Sequence, residues 1–259
     1  LFLVVSDSSL QMPPIFLKDS GLRTTTCSVL EHLGTTPSDI FRCLTCLFTF
    51  LVPPALRADD SIVLVSKWLA NQTNVQTWSA EFVQTRTLKS LTQPLTSTGQ
   101  VWFKAPDRFR WELGQPAQTI AVRQPEQMLV IYPKLKRVEK YALNNAGPGR
   151  DALALLEAGF PRHRADLETR FNIQSTKING GVCELTLQPK SSAARRMISQ
   201  IKIAFGTKDF LLASTELKFA DGSTLRNDFK NPKLNEKLSA DLFFPELPSD
   251  YKMSEPMKK

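Results

Sequence analysis

The stretch GQVWFKAPDRFRWEL, from Gly99 to Leu113, decides the fold class of this chain. Apolar and polar side chains alternate on both sides of its central Ala-Pro-Asp, which is the pattern of two antiparallel strands joined by a tight turn. One face of this pair carries Val101, Phe103, Phe109 and Trp111, while arginine and lysine side chains occupy the other face. The stretch therefore predicts a sheet with a strongly aromatic face.

The same period of two residues recurs on both sides of this strand pair. Trp78 and Phe82 alternate with polar residues upstream, Ile120 and Val122 do so downstream, and further strands with short turns follow between residues 169 and 230. Strands joined by such short connections pair as antiparallel neighbours, with one face turned to water. The sequence predicts an α+β, mainly β fold: one strongly curved antiparallel sheet of about ten strands.

Two helical segments are predicted to cover the concave side of this sheet. DDSIVLVSKWLANQT, which starts at Asp59, has an acidic first turn and an apolar stripe that includes Trp68. GPGRDALALLEAGFPR, which starts at Gly147, carries Leu153 and Leu156 on a second apolar stripe. Both stripes would face the apolar side of the sheet.

The segment FRCLTCLFTFLVPPALRADD has the order of a secretory signal peptide. Arg42 precedes an apolar run, and the small residue Ala58 stands before two acids, so cleavage is expected after Ala58. A short membrane anchor is the alternative, but a spanning helix needs about 20 apolar residues and prolines interrupt this run. We expect a periplasmic protein that is soluble after cleavage. The expected parts are residues 1–41, an over-extended start; residues 42–58, the signal peptide; and residues 59–259, a single domain.

Catalytic chemistry finds little support in the remaining residues. Beyond the signal peptide the chain has one cysteine, Cys183, and one histidine, His163. A hydrolase or transferase needs a nucleophile with a base, or a metal with its ligands, and one cysteine cannot form an intramolecular disulfide. We predict a protein that is not an enzyme, with no catalytic residues, no metal and no cofactor.

The chain is basic, with 33 Lys and Arg against 25 Asp and Glu, a net charge of +8. Nucleic acid is not expected as a partner, because an exported protein rarely meets it. The lysines of YPKLKRVEKY, residues 132–141, form either a charged outer strand face or a surface attracted to anionic membranes or acidic partners.

The aromatic face of the sheet is either a packed core or the wall of a cavity, and periodicity does not distinguish the two. A cavity that shields an acyl chain from water must replace a transfer free energy of about 0.8 kcal/mol per CH₂ group. The candidate residues for a lipid-binding wall are Trp68, Trp78, Phe82, Val101, Phe103, Phe109, Trp111, Ile120, Val122, Leu153 and Leu156.

The order of these motifs resembles the periplasmic lipoprotein carrier family, the LolA-like proteins. The family pattern is F-x-Q, then G-x-(apolar)-(aromatic)-x-x-x-P-x-x-(apolar)-x-W. The matching residues are Phe82, Gln84, Gly99, Val101, Trp102, Pro106, Phe109 and Trp111, followed by Tyr132 and Pro133. The late segment DLFFPELPSDY also resembles the end of the family pattern, so the resemblance covers nearly all of residues 59–251.

The resemblance implies an unclosed antiparallel half-barrel whose helices form a lid over an apolar cavity. Phe109 would lie at this cavity, with Phe103 and Trp111 near it. The implied function is that of a monomeric carrier, which accepts the acyl chains of lipoproteins from an inner-membrane transporter and delivers them to an outer-membrane receptor.

One position departs from the family pattern. Well-studied members place an arginine immediately before the proline of the motif, where it can bond to the lid and latch it shut; this chain has Ala105. Arg108 and Arg110 are near, but the alternation points them outward. A carrier of another acyl lipid, such as a glycolipid or a polyene ester for an exporter, therefore remains an alternative. A sensor or docking module, which would bind a protein partner on the same sheet, is the alternative from a different class.

Overall fold

The computed structural model describes residues 58–143 and 164–256. The helices in these ranges are α1 (Ala58–Gln72), α2 (Arg164–Arg170) and α3 (Ser192–Met197). The strands are β1 (Thr77–Thr87), β2 (Leu95–Lys104), β3 (Arg108–Leu113), β4 (Thr119–Arg123), β5 (Gln127–Tyr132), β6 (Arg137–Ala142), β7 (Phe171–Asn179), β8 (Val182–Pro189), β9 (Ile198–Gly206), β10 (Leu212–Phe219), β11 (Thr224–Leu234) and β12 (Lys252–Ser254). Apart from its last residue, Ala58, the predicted signal peptide lies outside the described residues. None of the described helices is both long enough and apolar enough to cross a membrane.

The twelve described strands form one sheet in the order β12-β6-β5-β4-β3-β2-β1-β11-β10-β9-β8-β7. Neighbouring strands run antiparallel throughout, except that β12 lies parallel to β6. The predicted mainly β fold with one curved, unclosed antiparallel sheet is confirmed. The predicted number of about ten strands is wrong, in part because β12 has three exposed residues and no apolar period that the sequence could reveal.

The inner face of the sheet is the face on which α1 packs. The strand registers align Ala80, Val101, Trp111 and Ala121 across β1 to β4 on this face. Trp68 of α1 is completely buried in the same apolar cluster. Its indole stacks on the ring of Phe205 in β9, with centroids 4.7 Å apart and planes 4° from parallel. Helix α1 therefore shares one core with both halves of the sheet.

Ile120 and Val122 lie on the outer face, opposite to α1. Ala121 pairs with Trp111 on one side and Val130 on the other, so its two neighbours in β4 must point the other way. The prediction that Ile120 and Val122 belong to the same face as the aromatic residues is wrong. Alternation in TIAVR shows which residues share a face, but it does not show which face is the inner one.

The outer face of β3 to β6 is covered by the C-terminal segment, residues 235–251. Phe243 is fully buried, and Leu247 packs on the apolar outer cluster to which Ile120 also belongs. Arg110 donates from Nη1 to the carbonyl of Leu242 at 3.1 Å, and Gln124 donates from Nε2 to the carbonyl of Phe243 at 2.9 Å. Arg110 of β3 and Gln124, which follows β4, thus hold this segment, and both faces of β4 and β5 are buried.

Candidate functional site

A closed aromatic cluster forms the centre of the inner face. The rings of Phe82 and Trp111 lie 4.2 Å apart between centroids, and Trp78 and Trp111 each meet the edge of Phe229, at 5.1 Å and 6.3 Å. Trp78 is 3% exposed and Phe82 is 1% exposed. Edge-to-face pairs of this kind add stability beyond burial alone. This part of the predicted wall is therefore packed core.

Gly99 makes room for the ring of Phe82. The two residues are directly opposite each other in the pairing of β1 with β2. A Cβ atom at position 99 would collide with the Phe82 ring and with the backbone carbonyl of Glu112. Glycine is thus required here by a close approach of ring and backbone, which gives a physical reason for the glycine of the motif.

A buried pair of amides fixes β1 to β11 on the same face. Gln84 donates from Nε2 to Oδ1 of Asn227 at 2.9 Å, and Asn227 donates from Nδ2 to the hydroxyl of Thr215 at 3.3 Å. Gln84 and Asn227 are both buried. Because buried amides need partners, this pair sets the register of β1 and β11 as well as satisfying both side chains.

Phe103 and Phe109, like Phe229, are half-buried aromatic residues of the inner face. They are directly opposite each other in β2 and β3, and both pack against the main core cluster. Phe109 also packs against a second buried cluster on the inner face of β5 and β6, formed by Met128, Val130, Tyr132, Tyr141 and Leu143. Phe109 therefore joins two apolar clusters while part of its ring remains accessible.

A group of polar side chains lies at the β6 side of this second cluster. Oε2 of Glu139 accepts hydrogen bonds from the hydroxyls of Tyr141 at 2.8 Å and Tyr132 at 3.3 Å. Arg137 pairs with Oε1 of Glu139 at 3.3 Å, and its guanidinium lies 4.6 Å from the centre of the Tyr132 ring. The inner face is therefore apolar in its centre and polar at one side.

The two phenols of this group stay protonated at neutral pH. Burial, followed by the charge of Glu139, raises the pKa of Tyr132 to about 12. Burial and the hydrogen bond to Glu139 also raise the pKa of Tyr141. Both hydroxyls therefore act as hydrogen-bond donors to the carboxylate over the whole physiological range.

The structure brings most of the predicted wall together. Trp68, Trp78, Phe82, Val101 and Trp111 share one buried cluster, and Phe103 and Phe109 lie at its edge. Ile120 and Val122 face the other way, and Leu153 and Leu156 lie outside the described residues. Contact of any of these residues with lipid stays a prediction.

Sequence reasoning missed the second cluster. MLVIY, residues 128–132, is apolar at every position, so it has no alternation that could assign Met128, Val130 and Tyr132 to the inner face. Five apolar residues in a row are typical of a strand that is buried on both faces. That signal indicates double burial but does not give the face.

Other reactive groups and depressions lie elsewhere. Cys183 is fully buried, and burial raises the pKa of its thiol to about 11, so it packs as a small apolar residue. In residues 58–143 and 164–256, no three His, Cys, Asp or Glu side chains converge to hold a metal ion. Two surface depressions of the described part, one beside the end of α1 and one on the outer face of β7 to β11, do not include Phe109.

Sequence comparison shows which proteins this chain is similar to. The family model described as outer membrane lipoprotein carrier protein LolA matches residues 73–246. An outer-membrane lipoprotein carrier protein of Bordetella avium is 28% identical over 200 residues, covering 77% of this chain and 89% of that protein. One from Cupriavidus pinatubonensis is 30% identical over 176 residues, covering 66% and 77%.

Among solved structures, a LolA superfamily protein from Nitrosomonas europaea shares 10% sequence identity, covers 68% of this chain and 96% of its own, and superposes with a TM-score of 0.37. The family model spans the aromatic cluster, the second cluster and most of the C-terminal segment. Carriers bind and transport their cargo without converting it chemically, so this chain is a binding protein and not an enzyme. It belongs to the family of the outer membrane lipoprotein carrier protein LolA.

Proposed function

We propose that this protein binds the acyl chains of lipid-modified proteins on the inner face of its sheet and carries them across the periplasm. In this proposal the cargo comes from a transporter in the inner membrane and goes to a receptor at the outer membrane. The carrier role follows from the family, and the direction of transport and both partners are part of the proposal.

The observation that carries the proposal is the position of Phe109. Its half-buried ring joins the two apolar clusters of the inner face and lies opposite Phe103, which is also half-buried. An acyl chain placed along these rings would be shielded on its protein side by apolar surface. Each buried CH₂ group contributes about 0.8 kcal/mol, so a chain of about sixteen carbons is worth on the order of 12 kcal/mol before the costs of binding.

Export to the periplasm belongs to the same proposal. It rests on the order of basic, apolar and small residues between Arg42 and Ala58. The mass of the protein recovered from a periplasmic fraction would test it, since cleavage after Ala58 leaves Asp59 as the first residue. A retained leader in the membrane fraction would contradict it.

Another acyl lipid is a second candidate for the cargo, and Ala105 is the observation that favours it. The family resemblance places a latching arginine at this position. Here the backbone N–H of Ala105 donates to the carbonyl of Gln76 at 2.8 Å, and its methyl side chain cannot form a hydrogen bond to a lid. A carrier without this latch could retain or release a different lipid, such as a glycolipid or a polyene ester.

Native mass spectrometry with lipid extraction, on protein purified from its own periplasm, tests both cargoes. Bound lipoprotein in nearly stoichiometric amount supports the first proposal, and a bound acyl lipid of another class supports the second. The Phe109→Glu variant, purified in parallel, should lose most of the bound cargo. Empty wild-type protein that also fails to take up a fluorescent fatty acyl probe would overturn both and favour a module that docks a protein partner.

A further inference from the structure

One end of the sheet carries exposed leucines next to exposed lysines. Because β1 to β6 are consecutive antiparallel neighbours, the connections that follow β1 and β5 lie at the same end of these strands. These connections are the β1–β2 loop, residues 88–94, and the β5–β6 turn, residues 133–136. We call this end the leucine–lysine end.

Leu135, at the tip of the β5–β6 turn, is 60% exposed, the largest exposed fraction among the large apolar side chains of the described part. Exposed lysines, Lys134 and Lys136, flank it on both sides. The apolar side chain of Leu135 is therefore held in water, with an exposed lysine on each side. Single exposed leucines are common on proteins, so the surroundings of Leu135 decide its meaning.

The turn that presents Leu135 is fixed by backbone contacts. Pro133 begins a short 3₁₀ turn, and Lys136 adopts the left-handed region at φ 46° with its N–H bonded to the Pro133 carbonyl at 3.1 Å. Lys252 of β12 donates its N–H to the carbonyl of Lys136 at 2.8 Å, and Asp250 pairs with the Lys136 ammonium at 2.7 Å. Leu135 is therefore presented outward by a turn that two other segments of the chain support.

The β1–β2 loop repeats the same combination of side chains. Leu91 in the loop is 40% exposed, Leu95 at the start of β2 is 44% exposed, and Lys89 is exposed two residues before Leu91. Leucines that enter the headgroup region of a bilayer, with lysines beside them at the level of the phosphates, are typical of proteins that bind reversibly to anionic membranes. The net charge of +8 adds long-range attraction to such a surface.

We propose that the leucine–lysine end docks on an anionic lipid surface, with Leu135 entering the interfacial layer and Lys134 and Lys89 contacting lipid phosphates. Lys134 and Lys136 flank Leu135, and Lys89 lies two residues before Leu91, so both connections present an apolar side chain beside a positive charge, which favours an anionic lipid surface as the partner. This docking involves the leucine–lysine end of the sheet and goes beyond the binding of acyl chains on the inner face.

Sedimentation of the purified protein with phosphatidylcholine vesicles, with and without phosphatidylglycerol, tests the proposal. Wild-type protein should bind the anionic vesicles, and high ionic strength should weaken this binding. Leu135→Ser should weaken it on the order of ten-fold, because its side chain no longer enters the interface. Lys134→Glu should weaken it by about five-fold or more, since a lysine near an anionic surface contributes roughly that factor.

Matched control variants exist at the opposite end of the strands. Leu234, 43% exposed, pairs with Trp78 at the start of β1, and exposed Lys208 lies in the turn between β9 and β10. Leu234→Ser and Lys208→Glu should leave vesicle binding within two-fold of wild type, a difference of less than about 0.5 kcal/mol. All four variants should take up the fluorescent acyl probe as wild type does, so a failure of the carrier function and a failure of docking are separable.

Three outcomes would overturn the proposal. The first is the absence of wild-type binding to anionic vesicles. The second is an equal loss of binding for the variants at both ends, which would indicate general attraction by charge. The third is a protein that binds polyglutamate but not vesicles, with binding that Lys134→Glu weakens and Leu135→Ser does not. That result would identify an acidic protein as the partner.

Discussion

Replacement of Phe109 by glutamate is expected to weaken acyl-chain binding much more than it weakens the fold. Most of the ring is buried and part of it is accessible, so its removal sacrifices the larger part of the roughly 1.5–3 kcal/mol that full burial of a phenylalanine contributes, which is about 1 to 2.5 kcal/mol. The new carboxylate would lie directly across from Arg123 in β4. An opposite charge in that cross-strand position offsets part of the cost of a charge on this face.

Binding should respond differently, because the carboxylate would stand where the acyl chain is proposed to lie. An ionised carboxylate in contact with the hydrocarbon chain must either lose its bound water or move aside. A penalty of about 2 kcal/mol raises the dissociation constant roughly 30-fold. The expected result is a folded protein with strongly reduced affinity.

Phe82→Ala supplies the matched comparison. Phe82 is 1% exposed and lies 4.2 Å from the Trp111 ring between centroids. Its truncation leaves a cavity in the core and should reduce the free energy of unfolding by about 3 to 5 kcal/mol. Lipid binding per folded molecule should change less than in Phe109→Glu, because the ring is inside the packed cluster.

Urea unfolding and titration with a fluorescent fatty acyl probe, on the same preparations, measure both quantities. The reasoning is refuted if Phe109→Glu loses as much unfolding free energy as Phe82→Ala, or if both variants bind the probe only in proportion to their folded fractions. Either result would identify Phe109 as ordinary core.

Three further predictions concern the fold. Gly99→Ala should lower the free energy of unfolding by about 1 to 3 kcal/mol in urea titrations, because its methyl group collides with the ring of Phe82. The pKa of Tyr132 is raised from 10.0 to about 12 in the folded protein, so the unfolded chain loses this proton first as pH rises. The free energy of unfolding should therefore not depend on this group below pH 10, and should fall by at most about 3 kcal/mol between pH 10 and pH 12. Tyr132→Phe should reduce this dependence on pH. Phe243→Ala should cost about 3 to 5 kcal/mol in thermal or urea unfolding, whereas Phe244→Ala, at a residue 47% exposed, should cost less than about 1 kcal/mol; equal losses would contradict the role given to the C-terminal segment.

The local sequence pattern is sufficient to assign residues to the two faces of a strand wherever one face is apolar and the other is polar. Val101, Phe103, Phe109 and Trp111 could be assigned to one face from their spacing alone, and the register confirms that they share it. The helix that carries Trp68 could also be predicted from the sequence, because its apolar stripe has the helical period.

The pattern failed where both faces of a strand are buried. In β4 and β5 the alternation no longer separates core from solvent, so Ile120 and Val122 were assigned to the wrong face and Met128 was not recognised as part of the inner face. The cause is remote in sequence: Phe243 and its neighbours in the C-terminal segment cover the outer face of these strands.

The sequence by itself therefore determined the fold class, the family and the identity of the aromatic residues, because these depend on period, order and spacing along the chain. Only the tertiary structure decided which face is the inner one, which rings are closed core and which, like Phe109, remain partly accessible. The two leucine-bearing connections also came together only through the order of the strands. The physical reason is that burial depends on what covers a surface, and the covering segments lie far away in the sequence.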